Sequence, residues 1–67
     1  MRTDFKMMRR PEVEATTGLS RSSIYALMAN GSFPSQVKLS TRAVAWLAHE
    51  VNAWAENRVL AARGGAM

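Results

Sequence analysis

The stretch PEVEATTGLSRSSIYALMAN, residues 11–30, decides how this chain is read. Pro11 suits the first position of a helix, where its missing N–H leaves no bond unmade. Glu12 and Glu14 place negative charge in the first turn, where the helix dipole favours it. Gly18 can take the left-handed conformation that ends a helix. Ser20 then restarts one, its hydroxyl placed to accept from the backbone N–H of Ser22 or Ser23. Ile24, Leu27 and Met28 follow with the i, i+3, i+4 spacing of an amphipathic helix, and Asn30-Gly31 stops it. Two short helices joined by a turn of about three or four residues form a helix-turn-helix. Val13, Gly18, Leu19, Ile24 and Leu27 stand where such a motif needs its packing residues, with Leu19 plugging the corner. Glu14 stands where the motif usually has a small residue, so either the helix crossing is altered or Glu14 points outward.

On the carboxyl side, Phe33-Pro34 reads as an extended connection, since a residue before proline is driven out of the helical region. Val37, Leu39, Val44 and Trp46 then alternate with polar or small residues, a period of two. The expectation is a two-stranded hairpin, Gln36–Leu39 with Ala43–Trp46, turning at Ser40-Thr41-Arg42, with Leu39 facing inward. A hairpin of this size is marginal alone and must pack on the helices. Helical spacing returns from Ala48: Val51, Trp54 and Ala55 share a face and Val59 follows, until Gly64-Gly65 ends the helix. Trp46 and Trp54 are expected in the core, Phe33 as a plug under the hairpin, Met8 at the core edge, and His49 exposed. The expected fold class is mainly α with a small β-hairpin, a winged helix-turn-helix. Residues 1–7 are expected to form a flexible arm, 8–63 the domain and 64–67 a flexible tail.

Composition narrows the function classes. With 67 residues the chain holds one domain, which buries only about 60% of the surface its unfolded form exposes. It has no cysteine and one histidine, His49, so neither a thiolate metal site nor a histidine cluster is available. No paired carboxylates stand where a cleft is expected. An enzyme is not expected, nor a cofactor. No apolar run approaches the roughly 20 residues needed to cross a bilayer, and the first ten residues lack the apolar core of a signal peptide. A cytoplasmic location is expected.

The net charge of +4 is unevenly spread. From Met1 to Leu19 the bases Arg2, Lys6, Arg9 and Arg10 outnumber the acids Asp4, Glu12 and Glu14 by one. From Ser20 to Trp46 there are three bases, Arg21, Lys38 and Arg42, and no acid. From Leu47 onward, Arg58 and Arg63 cancel Glu50 and Glu56. A segment of one sign suits a polyanion. With Ile24, Leu27 and Met28 turned inward, Arg21, Ser22, Ser23, Tyr25 and Ala26 face out near the start of the second helix, the part of this motif that enters the major groove of DNA. Arg21 can fork onto a guanine or a phosphate. Ser20, Ser22 and Ser23 suit phosphates or base edges, unless they serve only as a cap. Tyr25 either joins them or packs. The hairpin tip offers Lys38, Ser40, Thr41 and Arg42 as a wing for the adjacent backbone or minor groove. Arg9 and Arg10 either touch phosphate or only flank a helix.

The ordered set of motifs resembles the AlpA family of prophage regulators, a winged helix-turn-helix type shared with MerR-like and excisionase-like DNA binders. The residues that carry the resemblance are Pro11-Glu12-Val13, the run Thr17 to Tyr25, Gly31-x-Phe33-Pro34, Val37-Lys38-Leu39, Arg42-Ala43-Val44-x-Trp46 and Glu50-Val51-x-x-Trp54. Each is weak alone, but together they cover roughly Met8 to Asn57. Leu47-Ala48-His49 is less polar than is usual before the last helix, and Ala26 and Ala29 leave the second helix less basic than is common. The resemblance implies a regulator that binds double-stranded DNA at a promoter or attachment region of a mobile element. It also admits an excisionase-like directionality factor that bends DNA for an integrase. A different class, a small protein-interaction module or inhibitor, remains the rival. Val59 and Leu60 are candidate seeds for self-association.

Overall fold

In a computed structural model of the chain, residues 6–64 are described. The order of elements is β1 (Met7–Met8), α1 (Arg10–Thr17), α2 (Arg21–Ala29), β2 (Val37–Lys38), β3 (Val44–Leu47) and α3 (Ala48–Arg63). The strands form one antiparallel sheet in the order β1-β3-β2. The mainly helical fold with a winged helix-like sheet agrees with the sequence reading.

Local chemistry explains the breaks between elements. Arg9 is extended ahead of α1, and Pro11 lies in the first turn. At the other end Gly18 is left-handed, with φ 77°, and its N–H donates to the Glu14 carbonyl at 2.7 Å. A β-carbon on Gly18 would touch nothing within 4 Å, so glycine is required there by backbone conformation rather than by space. Thr17 secures the same corner: its hydroxyl donates to the Val13 carbonyl at 2.8 Å and accepts from the Leu19 N–H at 3.2 Å. Glu14 is half-buried, its carboxylate paired with Arg10 one turn back on the same helix at 2.9 Å. The motif therefore accommodates it as a member of an ion pair.

The core cluster consists of the fully buried Val13, Ile24, Trp46 and Val51, with Met8, Phe33 and Ala48 nearly so; Ala45 is also fully buried, outside that cluster. Leu19, Tyr25, Leu27, Met28, Val44 and Trp54 pack around them. Met8 and Phe33 thus take their expected places. Among the described residues no helix is long and apolar enough to cross a membrane.

Four features differ from the expectation. The first is β1. Residues 1–5 lie outside the described residues, but Met7 pairs with Leu47, Met8 pairs with Trp46, and the Ala48 N–H donates to the Lys6 carbonyl at 2.8 Å. Lys6 and Met7 are joined to the sheet rather than to an arm. Second, the strand expected at Gln36–Leu39 is shortened to Val37–Lys38, and the one expected at Ala43–Trp46 is shifted by one residue to Val44–Leu47.

The third is Leu39, which is 47% exposed. Two things expose it: it lies at the turn end of the hairpin, where its N–H bonds to the Ala43 carbonyl, and register turns it away from Trp46. Val37 pairs with Ala45 and Lys38 with Val44. Paired residues share a face and neighbours along a strand do not. Val37 and Leu39 therefore lie on the face of Ala45, opposite the face of Val44 and Trp46.

The fourth is Trp54, which is half-buried at the rim. Its indole N–H donates to the Ser32 carbonyl at 2.7 Å, its ring meets Phe33 edge-on at 4.9 Å, and the Arg58 guanidinium lies 4.7 Å above it. Beyond Ala55 every described residue of α3 is exposed, Val59 and Leu60 included, because the helix outruns the core.

The two tryptophans should respond differently to substitution. Trp46→Ala removes a fully buried ring at a cost of ~3–5 kcal/mol, comparable with the ~5 kcal/mol expected of so small a domain. Circular dichroism should show it severely destabilised, with a thermal midpoint lowered towards about 25 °C. Trp54→Phe keeps a ring but loses one hydrogen bond of about 1 kcal/mol. It should fold, with a thermal midpoint lowered by about 4–8 °C. A Trp46→Ala protein with an unchanged thermal midpoint would contradict this assignment of the core.

Candidate nucleic-acid interface

The amino-terminal end of α2 is built by Ser20. Its hydroxyl accepts from the Ser23 N–H at 3.1 Å, and Ser20 Oγ is also 3.1 Å from Ser23 Oγ. The Ile24 N–H is taken by the Ser20 carbonyl at 3.0 Å. The two preceding N–H groups, of Arg21 and Ser22, have no such partner among the described residues and point out of the helix end. Two free N–H groups with the positive end of a helix dipole favour an anion. Of the two N–H groups open to the Ser20 hydroxyl, those of Ser22 and Ser23, it takes that of Ser23.

Arg21 and Ser22 are exposed, and Ser23 and Tyr25 are half-buried. The Arg21 guanidinium lies 5.9 Å from the centre of the Tyr25 ring. That ring in turn meets Trp46 edge-on, with centroids 6.3 Å apart and planes at 66°. Tyr25 therefore packs, as one of its two readings required, while keeping an exposed part under Arg21. Ala26, Ala29 and Asn30 extend the exposed side of α2 without charge.

The wing is closed by three backbone bonds: the Leu39 and Ser40 N–H groups donate to the Ala43 carbonyl at 2.8 and 3.2 Å, and the Ala43 N–H to the Ser40 carbonyl at 3.4 Å. Lys38, Leu39, Ser40, Thr41 and Arg42 are all exposed. The hydroxyls of Ser40 and Thr41 have no protein partner among the described residues. The expected site residues thus form two groups, Ser20 to Tyr25 on α2 and Lys38 to Arg42 on the wing. The link between them is the Tyr25–Trp46 contact, because Trp46 belongs to β3, the returning strand of the wing.

Electrostatics favour an anion at both groups. The single ion pair among the described residues is Arg10–Glu14. It satisfies Arg10 and neutralises the acid closest in sequence to α2. Arg21, Lys38 and Arg42 have no carboxylate within ion-pair distance among the described residues. Glu50 and Glu56 lie on α3.

Sequence reasoning missed Leu39 as an exposed residue of the wing tip. The signal was available in the phase of the alternation across the hairpin, but that phase depends on a register the sequence leaves open. A shallow hollow between Phe33, Pro34 and Trp54 contains one titratable residue, Glu50. Among the described residues no group of three His, Cys, Asp or Glu could hold a metal.

Two comparisons show what the sequence is similar to. The family model described as prophage CP4-57 regulatory protein (AlpA) matches residues 6–59. The chain is also 46% identical over 63 residues to a protein of Enterobacteria phage P4 described as uncharacterized protein ORF88. The matched stretch is 94% of this chain and 72% of the phage protein.

Ser20 shapes the site through its cap, so its loss should register in stability. Ser20→Ala should cost ~1 kcal/mol and lower the thermal midpoint by about 4–8 °C. Ser22→Ala should leave it unchanged within about 0.5 kcal/mol. Equal midpoints for the two variants would show that the cap does not hold the helix end.

Proposed function

The chain belongs to the AlpA family of prophage regulatory proteins, and from that premise we propose that it regulates by binding double-stranded DNA in a sequence-specific manner. In this reading α2 enters the major groove, and the wing follows the adjacent backbone or minor groove. The observation that carries it is the pairing of two exposed cationic groups, Arg21 beside free backbone N–H groups and Lys38 with Arg42 on the wing, in a segment without a single acid.

The roles follow from the geometry. The Arg21 and Ser22 N–H groups and the Ser22 hydroxyl hold a phosphate and set the register of α2 on the duplex. Arg21, steadied by the Tyr25 ring, reaches a guanine edge. Lys38, Ser40, Thr41 and Arg42 hold the neighbouring strand. Ser20 and Ser23 fix the helix end, and Tyr25 ties the position of α2 to that of the wing. With Ala26 and Ala29 in place of further cations, the wing supplies two of the three cations in the surface.

Footprinting on DNA flanking the gene, and selection from a random duplex pool, test the reading. Three to six phosphate contacts give a slope of log K against log salt between about −2.7 and −5.4, at roughly 0.9 per phosphate. A slope near zero would remove the assigned surface.

Arg21→Ala should weaken binding by ~1–3 kcal/mol and relax specificity at one base pair. Uniform weakening across sequences would reassign it to phosphate. Arg42→Ala should weaken binding while leaving the thermal midpoint within the effect of about 0.5 kcal/mol. Reporter transcription measured without any recombinase distinguishes a regulator, which acts there, from a directionality factor, which does not.

A further inference from the structure

We infer that Leu39 is an apolar wedge that the wing inserts between base pairs from the minor groove, so that binding kinks the duplex. This rests on the DNA-binding reading above and adds a residue and a deformation to it.

The argument begins with where Leu39 is held. It is 47% exposed, and register places it on the sheet face opposite Trp46, at the turn end of the hairpin, beyond the stretch of that face where Val37 is half-buried and Ala45 buried. Its backbone is fixed, since its own N–H and that of Ser40 both bond to the Ala43 carbonyl. A single exposed leucine is ordinary on a protein surface. The other large exposed apolar residues among the described residues, Val59 and Leu60, sit on the distal part of α3. Leu39 differs in its surroundings: it stands at a turn between Lys38 and Arg42, next to two unpartnered hydroxyls, in a segment without acids.

Those surroundings select the partner. Cations and hydroxyls are donors, and the minor groove of A·T pairs presents acceptors only. A protein surface would supply apolar area to cover Leu39, but not acceptors and negative charge on both sides of it. Leucine is among the side chains that enter base steps from the minor groove, partly unstack them and bend the duplex toward the major groove. The steps that unstack most readily are pyrimidine–purine, TA and CA/TG. One such step is therefore expected under the wing, with the preference arising from deformability rather than hydrogen bonding.

Energetic balance determines which measurement is informative. Insertion gains the burial of the leucine and loses base stacking, and these oppose each other. Removing the side chain removes both, so affinity changes by no more than about tenfold while the bend is largely lost.

The test uses the full chain and a 30-base-pair duplex (about three helical turns) selected by it from a random pool. 2-Aminopurine is substituted at each position under the wing in turn, and bending is read by circular permutation. The wild-type chain should raise 2-aminopurine fluorescence at one step and bend the fragment. Leu39→Ala should abolish the rise and most of the bend, keep the footprint of α2, hold affinity within about tenfold, and leave the thermal midpoint unchanged. Leu39→Met should retain both signals. A wild-type complex with neither unstacking nor bend overturns the wedge, as does a Leu39→Ala complex identical to wild type, and both leave the DNA-binding reading intact. Failure to select any duplex overturns that reading and the wedge with it.

Discussion

The burial of Trp46 is the interaction on which the rest depends. It lies on the central strand, pairs with Met8 on β1, and takes the edge of Tyr25 from α2. Within the same cluster are Val13 of α1 and Val51 of α3. One side chain therefore meets or shares a core with every helix and with the strand that opens the domain. Its indole N–H has no acceptor among the described residues, and an orphaned buried donor costs ~1–3 kcal/mol. A tryptophan removes about 150–250 Å² from water, worth ~4–6 kcal/mol at 25 cal/mol per Å². Burial of the ring outweighs the orphaned donor, so the domain keeps the tryptophan inside.

Trp54 does a different job at the rim. It spends its N–H on the carbonyl of Ser32, in the connection after α2, and presents one side to Phe33 and one to Arg58. The bond crosses from α3 to the loop leading into the wing. Trp46 positions α2 against β3, whereas Trp54 anchors the path between them. Two tryptophans in similar apolar spacings thus hold two separate parts of one surface.

How legible each part was in the sequence depends on the range of the interaction that creates it. The helix-turn-helix was legible because Gly18, Ser20 and Pro11 act on their immediate neighbours. The helix after the wing was legible from the spacing of Val51, Trp54 and Ala55. Leu39 was misread because each strand's alternation fixes its own faces but not their phase relative to the partner. That phase is set by pairing Val37 with Ala45. β1 was not legible because Met7-Met8 is too short to show a period and has neither β-branched nor aromatic residues. The chemical types of the candidate surface could be read from Arg21, Lys38 and Arg42. The division of labour among the serines could not, since it depends on which N–H group each hydroxyl reaches. Residues 1–5 of the expected arm and 65–67 of the expected tail lie outside the described residues.

The pairing of Met8 with Trp46 has a consequence for how the chain acquires its shape. The two residues are 38 positions apart (46 minus 8), so the sheet closes only after most of the chain is available. The helices that precede the wing have eight and nine residues, below the roughly 12–15 at which an isolated helix becomes even marginal. Neither is stable before the strand that carries Trp46 arrives. Closing so long a loop is the slow entropic step, and the local turns at Gly18 and Ser40 then lock around it. Folding is accordingly all-or-none, and a nascent chain that stops short of β3 contains the whole helix-turn-helix sequence without its structure. The candidate surface comes into being only with the finished domain.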